Sequence, residues 1–258
     1  MKFNTKCVHG SGRPDSTGAI SPAIYMSSTF SHPQLGDTTG YQYTRESNPT
    51  RDRLEQLIAG LEEGTDALAF SSGMAAVDAV FHLFSPGDHI ILGDDLYGGS
   101  IRMFTNIYEQ NGIEFTYVGT SDLDAVKAAF KPNTKAVYIE TPTNPMMEIT
   151  DIRALCALAH ERNALVIIDN TFLSPYFQKP LTLGADIVVH SGTKFIGGHH
   201  DVISGFTIVK DDELAAKLRL TYKTVGACLS AMDSWLVIRG VKTLALRMEQ
   251  HQKNAIAL

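Results

Sequence analysis

Apolar residues fall into short runs separated by longer stretches of helical spacing. Residues 66–70, 89–92, 115–118, 136–139, 165–168, 186–189 and 206–209 read as strands. Between them, residues 73–84, 100–110, 122–130 and 151–163 read as helices, each bounded by Gly, Pro, Ser or Asp. Continuous apolar strands that alternate with helices predict an α/β fold: a mostly parallel seven-stranded sheet with helices on both faces.

The two ends depart from this alternation. Residues 1–64 are mostly irregular, with Gly, Pro, Ser and Thr dominating residues 10–44. A helix follows at 50–63, where Leu54, Leu57, Ile58 and Leu61 recur at helical spacing, and Gly64 reads as its stop. Long irregular stretches are uncommon inside one domain and tend to be functional or wrapped on a partner. The chain therefore divides into 1–64, an arm with a first helix, and 65–258, the α/β domain. From Asp211 it is helical with a break near 226–230. The last helix carries Trp235, Leu236, Ile238, Val241, Leu244 and Met248 and reaches Leu258 without a stop signal, the pattern of a truncated chain. Such a chain would expose apolar surface around Trp235 and Leu244.

Composition narrows the function classes. Apolar residues are 44%, charged residues 19%, and the net charge is −6, an ordinary globular balance and a poor one for nucleic acid. No run approaches the ~18–20 apolar residues of a membrane span, and the N-terminus lacks the apolar core of a secretion signal, so the expected compartment is the cytoplasm. Cys7, Cys156 and Cys228 form no disulfide or zinc pattern and read as buried or incidental thiols.

Candidate chemistry sits where the strands end, because ligands of open α/β sheets bind beyond the carboxyl edge. After residue 70 comes Ser71-Ser72-Gly73-Met74, opening a helix whose first amides suit a phosphate; the same residues also make an ordinary N-cap. After residue 92 comes Asp94-Asp95-Leu96-Tyr97-Gly98-Gly99, where an aromatic between small residues can lie over a planar ligand or pack in a turn. Asp169 closes another strand and could meet a metal, a ribose or a ring nitrogen, or cap a turn. His190-Ser191-Gly192-Thr193-Lys194 places a lysine among hydroxyls; a buried lysine can form a Schiff base. Adjacent His199 and His200 point apart on most backbones, so no metal is expected. Together these parts are what pyridoxal phosphate needs: a lysine, an anion for the ring nitrogen, a stacking face and phosphate donors.

The chain resembles the Cys/Met-metabolism family of pyridoxal-phosphate enzymes, which includes cystathionine γ-synthase, cystathionine γ- and β-lyase and methionine γ-lyase. The resemblance runs from about Thr5 to the last residue. It rests on Tyr41-Gln42-Tyr43-Thr44-Arg45-Glu46-Ser47-Asn48-Pro49-Thr50, the Ser71, Asp95 and His190 motifs above, Glu140-Thr141-Pro142-Thr143-Asn144-Pro145, and Asp169-Asn170-Thr171-Phe172, in the family's order. It implies the large domain of a fold type I pyridoxal-phosphate-dependent transferase. It also implies a homodimer or dimer of dimers (a homotetramer), with a sulfur-containing or O-acylated amino acid as substrate. The implied activity is transsulfuration, by γ-elimination or γ-replacement on cystathionine or an O-acylhomoserine. Cystathionine β-lyase or methionine γ-lyase activity, or a cofactor-binding fragment without catalysis, are the alternatives.

The resemblance also implies roles. Lys194 resembles the Schiff-base lysine that moves protons, and Asp169 the carboxylate paired with the pyridine nitrogen. Tyr97 resembles the stacking tyrosine and a proton donor to the leaving group. Gly73 and Met74 resemble the backbone phosphate donors, beside Ser72, with Ser191 and Thr193 as hydroxyl donors. Asn144 resembles the residue near the cofactor's phenolic oxygen. Tyr43 and Arg45 resemble the pair that reaches the phosphate of the neighbouring subunit, which would make 1–64 a dimer arm. Three features depart from the family. Gly192 replaces Ala, a mild change. His200 replaces Ser. The family continues into a smaller domain that supplies a substrate-carboxylate Arg, whereas the last helix here reads as the one leading to it, as expected of a truncated chain. Gly99, where methionine γ-lyases tend to carry Cys, favours the cystathionine enzymes.

Overall fold

Seven strands, β1 (Asp66–Phe70), β2 (His89–Gly93), β3 (Glu114–Val118), β4 (Thr134–Glu140), β5 (Leu165–Asp169), β6 (Ile187–Ser191) and β7 (Gly205–Val209), join in one sheet of order β1-β7-β6-β5-β4-β2-β3. The structure is a computed structural model that describes residues 1–10, 12 and 16–258. Strand β7 runs antiparallel to both neighbours, and every other pairing is parallel. The other six strands therefore end at one edge. Helices α1 (Phe3–His9), α2 (Pro49–Glu62), α3 (Gly73–Phe81), α4 (Gly98–Met103), α5 (Leu123–Ala129), α6 (Ile152–His160), α7 (Ser174–Phe177), α8 (Asp212–Val225), α9 (Ala231–Val241) and α10 (Leu244–Ala257) surround it.

Alternation along the strands divides the core between two faces. Tyr138 and Val189 pack with Val80, Leu218 and Tyr222 of α3 and α8. Val188, Phe206 and Ile208 pack on the other face with Leu54 and Ile58 of α2 and with Val237 and Leu244. On that same face Val137, Ile139 and Ile168 meet Leu155 and Ala159 of α6. Asn48 caps α2, its Oδ1 accepting from Thr50 N at 2.9 Å, and Pro49 opens the helix. Arg51, fully buried, donates to Thr44 O at 2.6 Å and Leu229 O at 3.2 Å, which ties the N-terminal segment to the turn before α9.

Several boundaries differ from the sequence reading. Helix α1 lies in a stretch read as irregular; seven residues are too few to be helical by propensity, and packing supplies the stability. Cys7 is buried, Phe3 meets the Tyr176 ring edge-on at 5.4 Å, and Lys6 Nζ donates to Gly60 O at 2.9 Å. The helix read at 100–110 starts at Gly98 and becomes a π-helical turn over Phe104–Tyr108. Gly64 does close α2, its N–H donating to Ala59 O at 2.9 Å, but the left-handed residue is Glu63, and a Cβ at Gly64 would meet Ile208 Cγ2 at 2.5 Å. The last helix is two helices that turn at Lys242–Thr243. The expectation of exposed apolar surface around Trp235 and Leu244 fails at those two residues but holds beside them, where Met232, Leu246 and Ile256 are exposed. The turn brings Leu244 fully into the core, and half-buried Trp235 donates Nε1 to Pro22 O at 3.1 Å. Among the described residues no helix is long and apolar enough to cross a membrane.

Candidate active site

The carboxyl edge of the sheet opens into a cavity of about 990 Å³. Its walls include Ser72, Gly73, Met74, Tyr97, Asn144, Asp169, Ser191, Thr193 and Lys194. These come from segments far apart in the chain that the parallel strand order brings to one place. Tyr43 and Arg45 are not among the walls. Both are exposed, the Arg45 guanidinium lies 5.1 Å from the Tyr43 ring centroid, and it donates to Lys223 O at the end of α8.

Each wall residue has a local cause. Ser72 caps α3, its Oγ accepting from Ala75 N at 3.0 Å, and the first-turn amides of Gly73 and Met74 have no helical acceptor. A Cβ at Gly73 would fall 2.9 Å from Ser191 Cβ, and one at Gly205 would fall 2.1 Å from Ser72 O. Glycine at both positions lets the β1–α3 turn sit against the ends of β6 and β7. Strand β6 runs to Ser191, two residues beyond the sequence reading, and so carries Ser191 to the rim. Ser191 N donates to Thr171 Oγ1 at 2.7 Å. Thr193 Oγ1 donates to Ser204 O at 3.2 Å and accepts from Ser204 N at 3.1 Å, so its hydroxyl is already engaged. Lys194 follows in a turn closed by the bond from Gly198 N to Lys194 O at 2.8 Å.

Asp169 ends β5. Burial pushes its carboxyl up, opposed by hydrogen bonds from Thr171, whose N donates to Asp169 Oδ1 at 3.0 Å. Among the described residues no cation lies within ion-pair distance of it. Behind it, buried His190 donates Nε2 to Glu62 Oε1 at 2.5 Å, and Asn170 Nδ2 donates to the same oxygen at 2.8 Å. Among the described residues no three His, Cys, Asp or Glu side chains are grouped to hold a metal ion.

Residues 4–258 match the family described as Cys/Met metabolism PLP-dependent enzyme. The chain belongs to that family. It is 50% identical to the cystathionine gamma-lyase of Bacillus subtilis over 256 residues, which is 99% of this chain and 68% of that protein. It is equally 50% identical, over 254 residues, to a cystathionine beta-lyase of Lactococcus lactis, covering 98% of this chain and 67% of that protein. The crystal structure of cystathionine gamma-lyase from Lactobacillus plantarum complexed with L-serine superposes on the whole chain with a TM-score of 0.97 at 51% identity, covering 68% of that chain. The chain thus spans about two thirds of the length of these relatives.

As a member of this family the chain is a pyridoxal-phosphate-dependent enzyme of transsulfuration. The cavity fits that cofactor. The glycine-lined junction of the β1–α3 turn and β6 is closed to any added Cβ, and it presents free first-turn amides for a phosphate. Asp169 is a half-buried carboxyl in want of a cation, which a protonated ring nitrogen supplies.

The sequence reading passed over several wall residues, among them Glu140, Arg247 and His251. Glu140 was within reach, since it closes an apolar strand as Asp169 does. Arg247 gave no signal: it lies on α10 and arrives by folding, donating to Phe195 O at 2.7 Å beside Lys194.

Proposed function

We propose that this enzyme cleaves or forms the γ carbon–sulfur bond of cystathionine, with an O-acylated homoserine as the donor in the forming direction. The observation that carries the reading is one cavity with Lys194 and Asp169 on its walls, covered by a Tyr97 ring that leaves no room for a side chain at residue 99. A Cβ at Gly99 would fall 2.4 Å from Tyr97 Cε1. That close fit favours the cystathionine enzymes over those carrying a cysteine there.

When bound, pyridoxal phosphate supplies an electron sink for charge that develops on a substrate carbon. Lys194 holds the cofactor and carries protons between substrate carbons. Asp169 keeps the ring nitrogen protonated, in a poorly solvated cleft where opposed charges attract more strongly than in water. The Gly73 and Met74 amides, with the Ser72, Ser191 and Thr193 side chains, take the phosphate; Thr193 must turn its hydroxyl from Ser204 to do so. Asn144, on the cavity wall, would face the cofactor's phenolic oxygen. Tyr97 would cover the ring of a bound cofactor and could give a proton to the departing sulfur. Tyr43 and Arg45 serve the phosphate of a second copy, so the working unit is a homodimer or a dimer of dimers. Arg suits that task because its planar fork binds two oxygens at once.

Cleavage at the β carbon of the same substrate is the second reading, favoured by the equal identity to the relative named cystathionine beta-lyase. Products separate the two. Incubation of the loaded protein with cystathionine yields cysteine and a four-carbon oxo acid by the γ route, or homocysteine and pyruvate by the β route. Formation of cystathionine from an O-acylhomoserine and cysteine assigns the synthetic direction.

A further inference from the structure

Glu140 has no part in the functional reading above, yet it occupies a telling place. It ends β4, and its Cα pairs in register with that of Asp169 at the end of β5. It is 7% exposed and lines the same cavity. Its Oε2 accepts from the backbone N–H of Tyr97 at 3.2 Å. Tyr97 precedes α4, its side chain is not used as a cap, and its ring is 54% exposed. The carboxyl therefore reaches across from one strand end and holds the backbone of the aromatic that covers the cavity. Gly99 sets the other side of that ring by leaving it room. Among the described residues no cation pairs with Glu140. A buried carboxyl without a cation is costly, and an apolar residue would fill the space at less cost. A purely structural role does not account for it.

We propose that Glu140 is a positioning residue for Tyr97. Its carboxyl fixes the residue 97 backbone over the cavity floor, next to Asp169. The inference deepens the functional reading and rests on it for the role of Tyr97. The carboxyl needs only to accept a hydrogen bond, so a neutral acceptor of the same shape should serve equally well.

The test compares Glu140→Gln and Glu140→Ala in the full chain, first by hydrogen exchange at the Tyr97 amide without cofactor. Loss of the acceptor in Glu140→Ala should speed exchange about tenfold or more, whereas Glu140→Gln should stay within about threefold of the parent. With pyridoxal phosphate added, Glu140→Ala should bind it about tenfold more weakly and lose the circular dichroism that the protein induces in the cofactor's visible band; Glu140→Gln should keep both. Parental exchange and dichroism in Glu140→Ala would overturn the proposal. So would Glu140→Gln as impaired as Glu140→Ala. A parent protein that takes up no cofactor would contradict the functional reading, while the exchange comparison would still decide the role of Glu140.

Discussion

Gly192 lies against the ring of Phe206: a Cβ at position 192 would fall 2.3 Å from Phe206 Cε2 and 2.4 Å from Ser204 Oγ. The residue that replaces the family's usual Ala is therefore not a mild exchange in this chain, contrary to the sequence reading. Both opposing groups are fully buried on β7 or just before it, so neither can swing away cheaply. Gly192→Ala should destabilise the protein by about 1–3 kcal/mol through overpacking. Thermal unfolding would show this as a lower Tm. Phe206→Leu in the same chain should recover part of the loss, since the two sites touch.

The second prediction separates two aspartates. Asp95 accepts from Met146 N at 3.1 Å and steadies the loop that carries Asn144. Asp169 is a half-buried carboxyl on the cavity wall. Asp169→Ala should weaken pyridoxal-phosphate binding by about two to three orders of magnitude, the scale on which a buried charge pair is broken. Asp95→Ala should change it by less than about tenfold. Titration of each variant with cofactor, followed in the visible, distinguishes them, and equal losses would mean that the ring nitrogen lies elsewhere.

The third prediction concerns pH. Burial first, then the neighbouring Asp169, pushes the Glu140 carboxyl up to about 8, opposed by the hydrogen bond from Tyr97 N. The folded chain thus holds a proton that the unfolded chain releases near the ordinary glutamate range. Its contribution to stability is present at low pH and lost as pH rises from that range through about 8. Glu140→Gln cannot lose that proton. The Tm of Glu140→Gln minus that of the parent should therefore grow between pH 5 and pH 9; a constant difference would show that Glu140 does not titrate in that window.

Much of this was readable in the chain, and the misses have physical causes. The strand-end rule located Ser72, Tyr97, Asp169 and Lys194 because apolar runs mark where a parallel sheet stops, and the structure gathers all four in one cavity. The same rule passed over Glu140, which sits between Ile139 and Thr141 and looks like the tail of a strand. Helix α1 was missed because its stability comes from Cys7 and Phe3 packing on distant elements. The tight contact of Gly192 with Phe206 joins the residue just past the end of β6 to one on β7, and no local pattern announces it. Arg247 reaches the Lys194 turn only because α9 and α10 fold back at Lys242–Thr243.

The fourth prediction concerns assembly. Tyr43 and Arg45 line no wall of their own chain's cavity, which is what service to a second copy requires. Lys194→Ala and Arg45→Ala, each inactive, should regain activity when subunits exchange. In a mixed dimer one site then carries both lesions and the other neither, so at equal mixing about a quarter of the sites recover. No recovery after demonstrated exchange would show that Arg45 does not serve a shared site.

The most direct test of the account is the attachment of the cofactor. The protein is loaded with pyridoxal phosphate, reduced with borohydride, digested and mapped by mass spectrometry. A lysine that holds the cofactor covalently becomes permanently labelled. The account predicts a yellow protein before reduction and the label on Lys194, with none in Lys194→Ala. A label on another lysine, or no label on a folded protein saturated with cofactor, would contradict it.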